Sequence, residues 1–145
     1  ETAAAKAGDV SVELIADGVH LVDGTVDMAH SHRAFAVTDA MAAAGMADGD
    51  YELGSLPVTV SGGVARVASG AIAGGTSTLA QQFARFAARH SLGEAVRFTS
   101  TTAAGVLGQE NLGRIAPGAR AHLVGLNAQL EPVRVIVDGA DIPLS

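Results

Sequence analysis

The 145-residue chain has no cysteine and no tryptophan, and aromatic residues make up only 3% of it. Without cysteine there is no disulfide framework, no thiolate nucleophile and no thiolate metal ligand. Nine lysines and arginines against fifteen acidic residues leave a net charge of −6 with no basic cluster. A nucleic-acid surface is therefore not expected, because its affinity depends on neutralising phosphates. No apolar run approaches the roughly 18 residues that a membrane span requires. No signal-type apolar segment is evident either, and a cytoplasmic location is expected.

What is present is small and apolar. Alanine (29) and glycine (18) supply nearly a third of the residues, hydrophobic residues reach 48%, and the mean hydropathy is +0.32. The core must then be built from small and branched aliphatic side chains at close packing. The length suits one ordinary domain, whereas a complete (β/α)₈ barrel needs roughly 250 residues, so a whole barrel is excluded. The chain opens at Glu1 in a helix-like run without an initiator methionine, which reads as a cut rather than a natural terminus.

Residues 1–7 (ETAAAKA) are strong helix formers ending at Gly8 and predict the last turns of a helix. Residues 10–16 (VSVELIA) predict a buried strand, broken by Asp17-Gly18 just before Val19-His20. Residues 22–30 predict a short helix with Asp23 as N-cap, and residues 34–38 (AFAVT) a second strand ending at Asp39. Strand, helix and strand within about thirty residues form a βαβ unit with parallel strands. Both strand C-termini then meet one rim, where α/β folds bind ligands, and that rim carries His20 and Asp39.

Beyond Asp39 the pattern changes. Residues 40–50 read as a small-residue loop, and residues 51–67 as a meander of three short strands turning at Ser61-Gly62-Gly63. Residues 69–75 (SGAIAGG) read as a glycine-rich loop opening a helix over residues 76–90, with Thr76 as N-cap and Leu79, Phe83, Phe86 and Ala87 on one stripe. Backbone N–H groups of Ile72, Ala73, Gly74 and Gly75 would face an anion or polar sugar substituent at that helix start, or the loop is a tight connection without a ligand. Helices over residues 92–100 and 102–107 follow. The tail predicts strands in GRIAPG, AHLVGLN and PVRVIVDG.

Three features are read as structural. His30-Ser31-His32 looks like a metal-binding His-x-His pair, but it closes a helix, where residues two apart point to different faces. Asp48-Gly49-Asp50 resembles a calcium-loop fragment without the remaining ligand positions and reads as a solvated turn. Arg85 and Arg89 lie opposite the apolar stripe and are expected to be solvated.

Several motifs recur in one order: ELIADGVH at 13–20, VTDAMAAAG at 37–45, YELGSLPVTV with GVARVASGAIAGGTSTL across 51–79, and NLGRIAPGARAHLVGLN at 111–127. Together they resemble the N-acetylglucosamine-6-phosphate deacetylase family of the amidohydrolase superfamily over almost the whole chain. The resemblance implies an α/β fold, the C-terminal part of a (β/α)₈ barrel. Residues 1–108 would supply the last two barrel strands with an inserted meander at about 51–67, and residues 109–145 would supply strands of a small β-sandwich domain. It also implies a carbon–nitrogen hydrolase that removes the N-acetyl group of N-acetylglucosamine 6-phosphate. Asp39 would be the catalytic acid and base, His20 a substrate contact, and Ile72, Ala73 and Gly74 the border of the sugar pocket.

The family's divalent metal (zinc, iron or manganese) would be held by a glutamate and two histidines upstream of Glu1. No metal is expected on this chain alone, and Asp39 would join as a ligand only in a two-metal form. The isolated chain is expected to be inactive. It is expected to associate with the upstream portion or a second copy, because its strand edges are open. Two departures from the family stand out: residues 21–33 form a short connection, and His122 replaces an acidic residue of the tail. The rival readings are an amidohydrolase acting on another N-acyl sugar or cyclic amide, and a non-catalytic interaction domain.

Overall fold

The computed structural model describes residues 10–144, so the helix expected over residues 1–7 lies outside the described residues. The chain begins with strand β1 (Val12–Leu14), helix α1 (Asp23–Ala29) and strand β2 (Ala34–Ala36). β1 and β2 pair in parallel, from Val12 with Ala34 to Leu14 with Ala36, as the βαβ spacing predicts. All three residues of β2 are buried, as in a strand covered on both faces.

A second, antiparallel sheet follows in the order β3 (Gly49–Leu53), β4 (Leu56–Ser61), β5 (Val64–Val67) and β6 (Ile72–Gly74). The three strands expected over residues 51–67 are present as β3, β4 and β5, and the sheet has a fourth beside them. The expected glycine-rich loop supplies the fourth: Ile72 pairs with Arg66 and Gly74 with Ala65, across an irregularity that absorbs one extra residue. Asp48 closes the β4–β5 turn by accepting the N–H groups of Gly62 (2.5 Å) and Gly63 (3.0 Å), a structural use of the DGD segment.

Helix α2 (Leu79–Ala87) starts three residues later than expected, because Thr78 and Gln81 form a reciprocal capping box. Gln82 and Phe86 are its buried residues, while Leu79, expected on the inward stripe, is exposed. Asp23 is not an N-cap; Val22 holds that position without a side-chain hydrogen bond. Asp23 is instead the first helical residue, where the helix dipole favours a carboxylate, and Arg85 Nε meets it at 2.8 Å. Arg89 reaches Asp23 at 3.0 Å and Asp27 at 3.1 Å, so the two arginines expected to be solvated tie α2 to α1. Being partly exposed, each such pair contributes about 0.2–1 kcal/mol.

The two helices expected after Leu92 are one continuous stretch. Helix α3 (Leu92–Val96) passes through a π segment (Arg97–Thr101) into α4 (Thr102–Val106), with helical backbone at both junctions. The π turn places Phe98 fully inside. There it stacks on Phe86 at 4.5 Å, beside His30 and His90. Leu14, Ala16, Val26, Ala29, Ala34, Ala36 and Ala95 complete this core, so two of the four phenylalanines sit at the centre of an otherwise small-residue interior. A second core joins Met41 and Ala43 to Val58, Val60 and Ala65 of the meander.

The tail forms a third sheet, antiparallel β7 (Leu123–Leu126), β8 (Pro132–Val137) and β9 (Ala140–Ile142). GRIAPG carries no strand, its turns being set by Gly113 and Gly118 at positive φ. No residue of this sheet is buried. Among the described residues, no helix is long and apolar enough to cross a membrane.

Candidate functional site

β1 and β2 deliver their C-termini side by side, and the pairing continues past them through Val37 N–H to Leu14 O at 3.0 Å. The two segments that leave this rim bring His20 and Asp39 together: His20 Nε2 lies 3.5 Å from Asp39 Oδ2. The His20 side chain is 17% exposed and that of Asp39 56%. The carboxylate is thus open to an incoming molecule while the imidazole is held against the protein.

Asp39 owes its place to its backbone. Its φ of +49° is left-handed, a conformation that Asp tolerates better than most residues. Its carbonyl accepts the N–H of Gly75 at 2.7 Å, and Gly75 O accepts the N–H of Met41 at 3.0 Å, forming a parallel bridge between Ala40 and Gly75. A Cβ at Gly75 would lie 2.0 Å from Thr38 O, and one at Gly74 3.2 Å from Asp39 O. The glycine pair is what lets the end of β6 press against the turn that presents Asp39.

Ile72, Ala73 and Gly74 therefore lie on a strand that ends beside Asp39. The N-terminus of α2 is not theirs to present, since Thr78 caps it. Ala73 packs on the meander core, Gly74 is buried, and Ile72 is half-buried.

Two residues that sequence reasoning passed over organise the rim. Asp17, read as a strand breaker, accepts hydrogen bonds from the N–H groups of Val19 and His20 and faces His20 Nδ1, each at 2.8 Å. The available signal was its spacing, an Asp three residues before a His across a glycine. Gln82, buried in α2, accepts the N–H of Ala16 at 3.2 Å and donates to Ser77 Oγ at 3.0 Å, locking the end of the β1 segment to α2. No apolar pattern could signal it. A cleft of about 400 Å³ beside Asp17, Thr76 and Arg85 is not lined by His20 or Asp39, whose pair faces an open rim.

His30 and His32 do not converge on a metal. His30 lies edge-on against the stacked rings of Phe86 and Phe98, at centroid distances of 5.0 and 5.5 Å, and its buried Nδ1 has no hydrogen-bond partner among the described residues. Burial among these rings pushes its pKa below that of an ordinary histidine. Among the described residues, no three His, Asp or Glu side chains are grouped to hold a metal ion. His20 and Asp39 offer two donors where a catalytic zinc takes three protein ligands. The residues present do not by themselves fit a resident divalent metal.

No protein-family model matches the chain. Its relatives are informative. A protein of Escherichia coli K12 that carries the provisional name N-acetylgalactosamine-6-phosphate deacetylase is 35% identical over 134 residues, covering 88% of this chain and 80% of that protein. The N-acetylglucosamine-6-phosphate deacetylase of Vibrio furnissii is 35% identical over 88% of this chain, which spans 34% of its length. Among solved structures, the N-acetylglucosamine-6-phosphate deacetylase of Thermotoga maritima superposes with a TM-score of 0.87 at 37% identity. An aspartate-to-alanine mutant of the Mycobacterium smegmatis enzyme, in complex with N-acetyl-D-glucosamine-6-phosphate, superposes at 0.85 with 38% identity. Both alignments cover 94% of this chain and 39% of the other. The chain thus spans between a third and two fifths of the Vibrio, Thermotoga and Mycobacterium enzymes, and most of the Escherichia coli K12 protein.

Proposed function

Because the chain belongs to the N-acetylglucosamine-6-phosphate deacetylase family, we propose that it carries the acid–base half of an amide-hydrolysing site whose substrate is an N-acetylhexosamine 6-phosphate. Residues 1–108 contribute the C-terminal part of a (β/α)₈ barrel, with β1 and β2 as its seventh and eighth strands. Residues 109–145 contribute strands of a small β-sandwich. The single observation that carries the reading is the His20–Asp39 pair, 3.5 Å apart at the C-terminal rim of two parallel strands.

Hydrolysis of the N-acetyl group needs a base for the attacking water and an acid for the departing amine. Asp39, exposed on the rim and fixed through its backbone, takes the water's proton as the new carbon–oxygen bond forms. It returns that proton to nitrogen as the carbon–nitrogen bond breaks, giving acetate and the free amino sugar. His20 contacts the substrate beside the reacting amide, and Ile72, Ala73 and Gly74 border the sugar, where bulk would block it. The family's divalent metal does not fit the donors on this chain, and we assign its glutamate and two histidine ligands to a segment outside these 145 residues.

The isolated chain therefore has no deacetylase activity, and joining it to an upstream barrel portion that carries those ligands creates activity. The test is acetate release from N-acetylglucosamine 6-phosphate by the purified chain, alone and fused to such a portion. Turnover by the chain alone, or none by the fusion, refutes the proposal. A second reading, with the C4 epimer as substrate, is raised by the names of the two Escherichia coli relatives, which match at the same 35% identity as the Vibrio enzyme. Comparing kcat/KM of the fusion for the two epimers decides between them.

A further inference from the structure

The Asp17 carboxylate is spent within its own loop. Oδ1 accepts from Val19 N–H and His20 N–H, and Oδ2 lies 2.8 Å from His20 Nδ1. Its side chain is only 5% exposed, against 56% for Asp39. Gly18, at φ +80°, lets the chain double back so that donors two and three residues on can all reach one carboxyl group. Burial alone would push the Asp17 pKa up, but hydrogen bonds from the His20 side chain and the Val19 and His20 backbone outweigh it and hold the group below its ordinary value. An ionised carboxylate accepts and never donates, so the ring nitrogen facing it must carry the proton.

We propose that Asp17 is a positioning residue: it pins His20 as the Nδ1–H tautomer and turns Nε2, 3.5 Å from Asp39 Oδ2, to the rim as the atom that meets the substrate. The second nitrogen of a histidine is defined by what the first one bonds, and here the first is bound within its own loop. The kinetic consequence rests on the deacetylase reading, while the tautomer does not.

A turn-capping role alone would predict that asparagine serves as well as aspartate. In Asp17→Asn the side-chain oxygen can still accept both backbone N–H groups, but its NH₂ group faces Nδ1 and donates to it. The turn is kept and the tautomer is reversed. The measurement is the long-range ¹H–¹⁵N correlation of the His20 ring in the labelled 145-residue chain, at a pH where the ring is neutral, with His20→Gln to assign the signal. The expected result is a protonated Nδ1 and bare Nε2 in the unmodified chain, reversed in Asp17→Asn with the remaining amide spectrum unchanged.

A protonated Nε2 in the unmodified chain overturns the proposal without any variant needing to fold, as does an unreversed ring in a folded variant. In the fusion with the upstream barrel portion, Asp17→Asn lowers kcat/KM roughly 10- to 100-fold. An unchanged value beside a reversed tautomer removes the positioning role and leaves the deacetylase reading standing. A fusion that turns over no substrate removes the deacetylase reading and leaves the tautomer to be judged by the spectra.

Discussion

In the proposed site the backbone and the side chain of Asp39 have separate duties. The left-handed turn and the Gly75 N–H fix the main chain, while the carboxylate's basic partner among the described residues is His20, 3.5 Å away. Asp39→Asn in the fused enzyme is therefore expected to lower kcat by roughly 10²- to 10⁴-fold, the span of general acid–base catalysis, with KM changed only a few-fold. In the isolated chain its unfolding free energy should move by less than about 0.5 kcal/mol, as for an exposed surface change; a larger shift in urea titration would give Asp39 a structural role instead. Gly75→Ala tests the other duty. The added Cβ overlaps Thr38 O, so the end of β6 must move, at a cost of about 1–3 kcal/mol. Urea unfolding reads the cost and the Asp39 amide resonance reads the movement; a variant matching the parent in both would show that the bridge constrains nothing. His20 and Asp39 were legible as a pair because the parallel βαβ unit sends both strand ends to one rim. Asp17 and Gly75 were not, since an Asp-Gly and a Gly-Gly both read as ordinary turns until the partner that each one meets is known.

The contact among α1, α2 and the π segment depends on an uncharged His30. Its burial chiefly, and the neighbouring His90 next, disfavour the protonated ring; Glu94 and Asp27 favour it less strongly, and Arg97 disfavours it least of all. The folded-state pKa lies below the ordinary 6.5, so the unfolded chain takes up the proton first. Stability is then fully present above about pH 6.5 and falls as pH drops from there toward the lowered folded value. The carboxylates Asp17 and Asp27, also lowered, act in a separate window beginning near pH 4 and below. The urea midpoint should fall between about pH 7.5 and about pH 5 and fall less steeply in His30→Phe; equal slopes would remove His30 as the cause. The elements that sequence misjudged share a physical origin in long-range partners. Ile72–Gly74 belongs to the glycine-rich stretch over residues 69–75 yet becomes a strand because β5 offers it an edge. The helices expected over residues 92–100 and 102–107 part at Thr101, yet the chain stays helical there through a π turn, in which Thr99 Oγ1 donates to Ala95 O at 2.8 Å and Phe98 is buried.

On the scale of the whole molecule, two cores stand beside a sheet that has none. Alternation along β7, β8 and β9 places Val124, Val133, Val135, Val137 and Ile142 on one face, following the register Val124–Val135–Ile142. Val124 and Val133 are 59% and 57% exposed, an apolar surface of the kind that drives association. The isolated chain should accordingly sediment faster as its concentration rises, and Val133→Lys should reduce that dependence; a concentration-independent monomer would refute the expectation. The high apolar fraction was visible in composition, but its division between interior and exposed sheet was not, because alternation looks alike on a covered face and an uncovered one.

The bridge between Ala40 and Gly75 has a further consequence for how such a chain can vary. The excursion through β3 to β6 departs and returns at a single paired position, and closing a longer loop costs only slowly more entropy. Insertions or deletions at the β3–β4 tip, Gly54-Ser55, leave the return point where it is, whereas the β4–β5 tip is tied beside it by Thr76 Oγ1, which donates to Gly63 O. The meander can thus drift in length and surface over evolutionary time as an annex with one doorway, while the aspartate beside that doorway keeps its address.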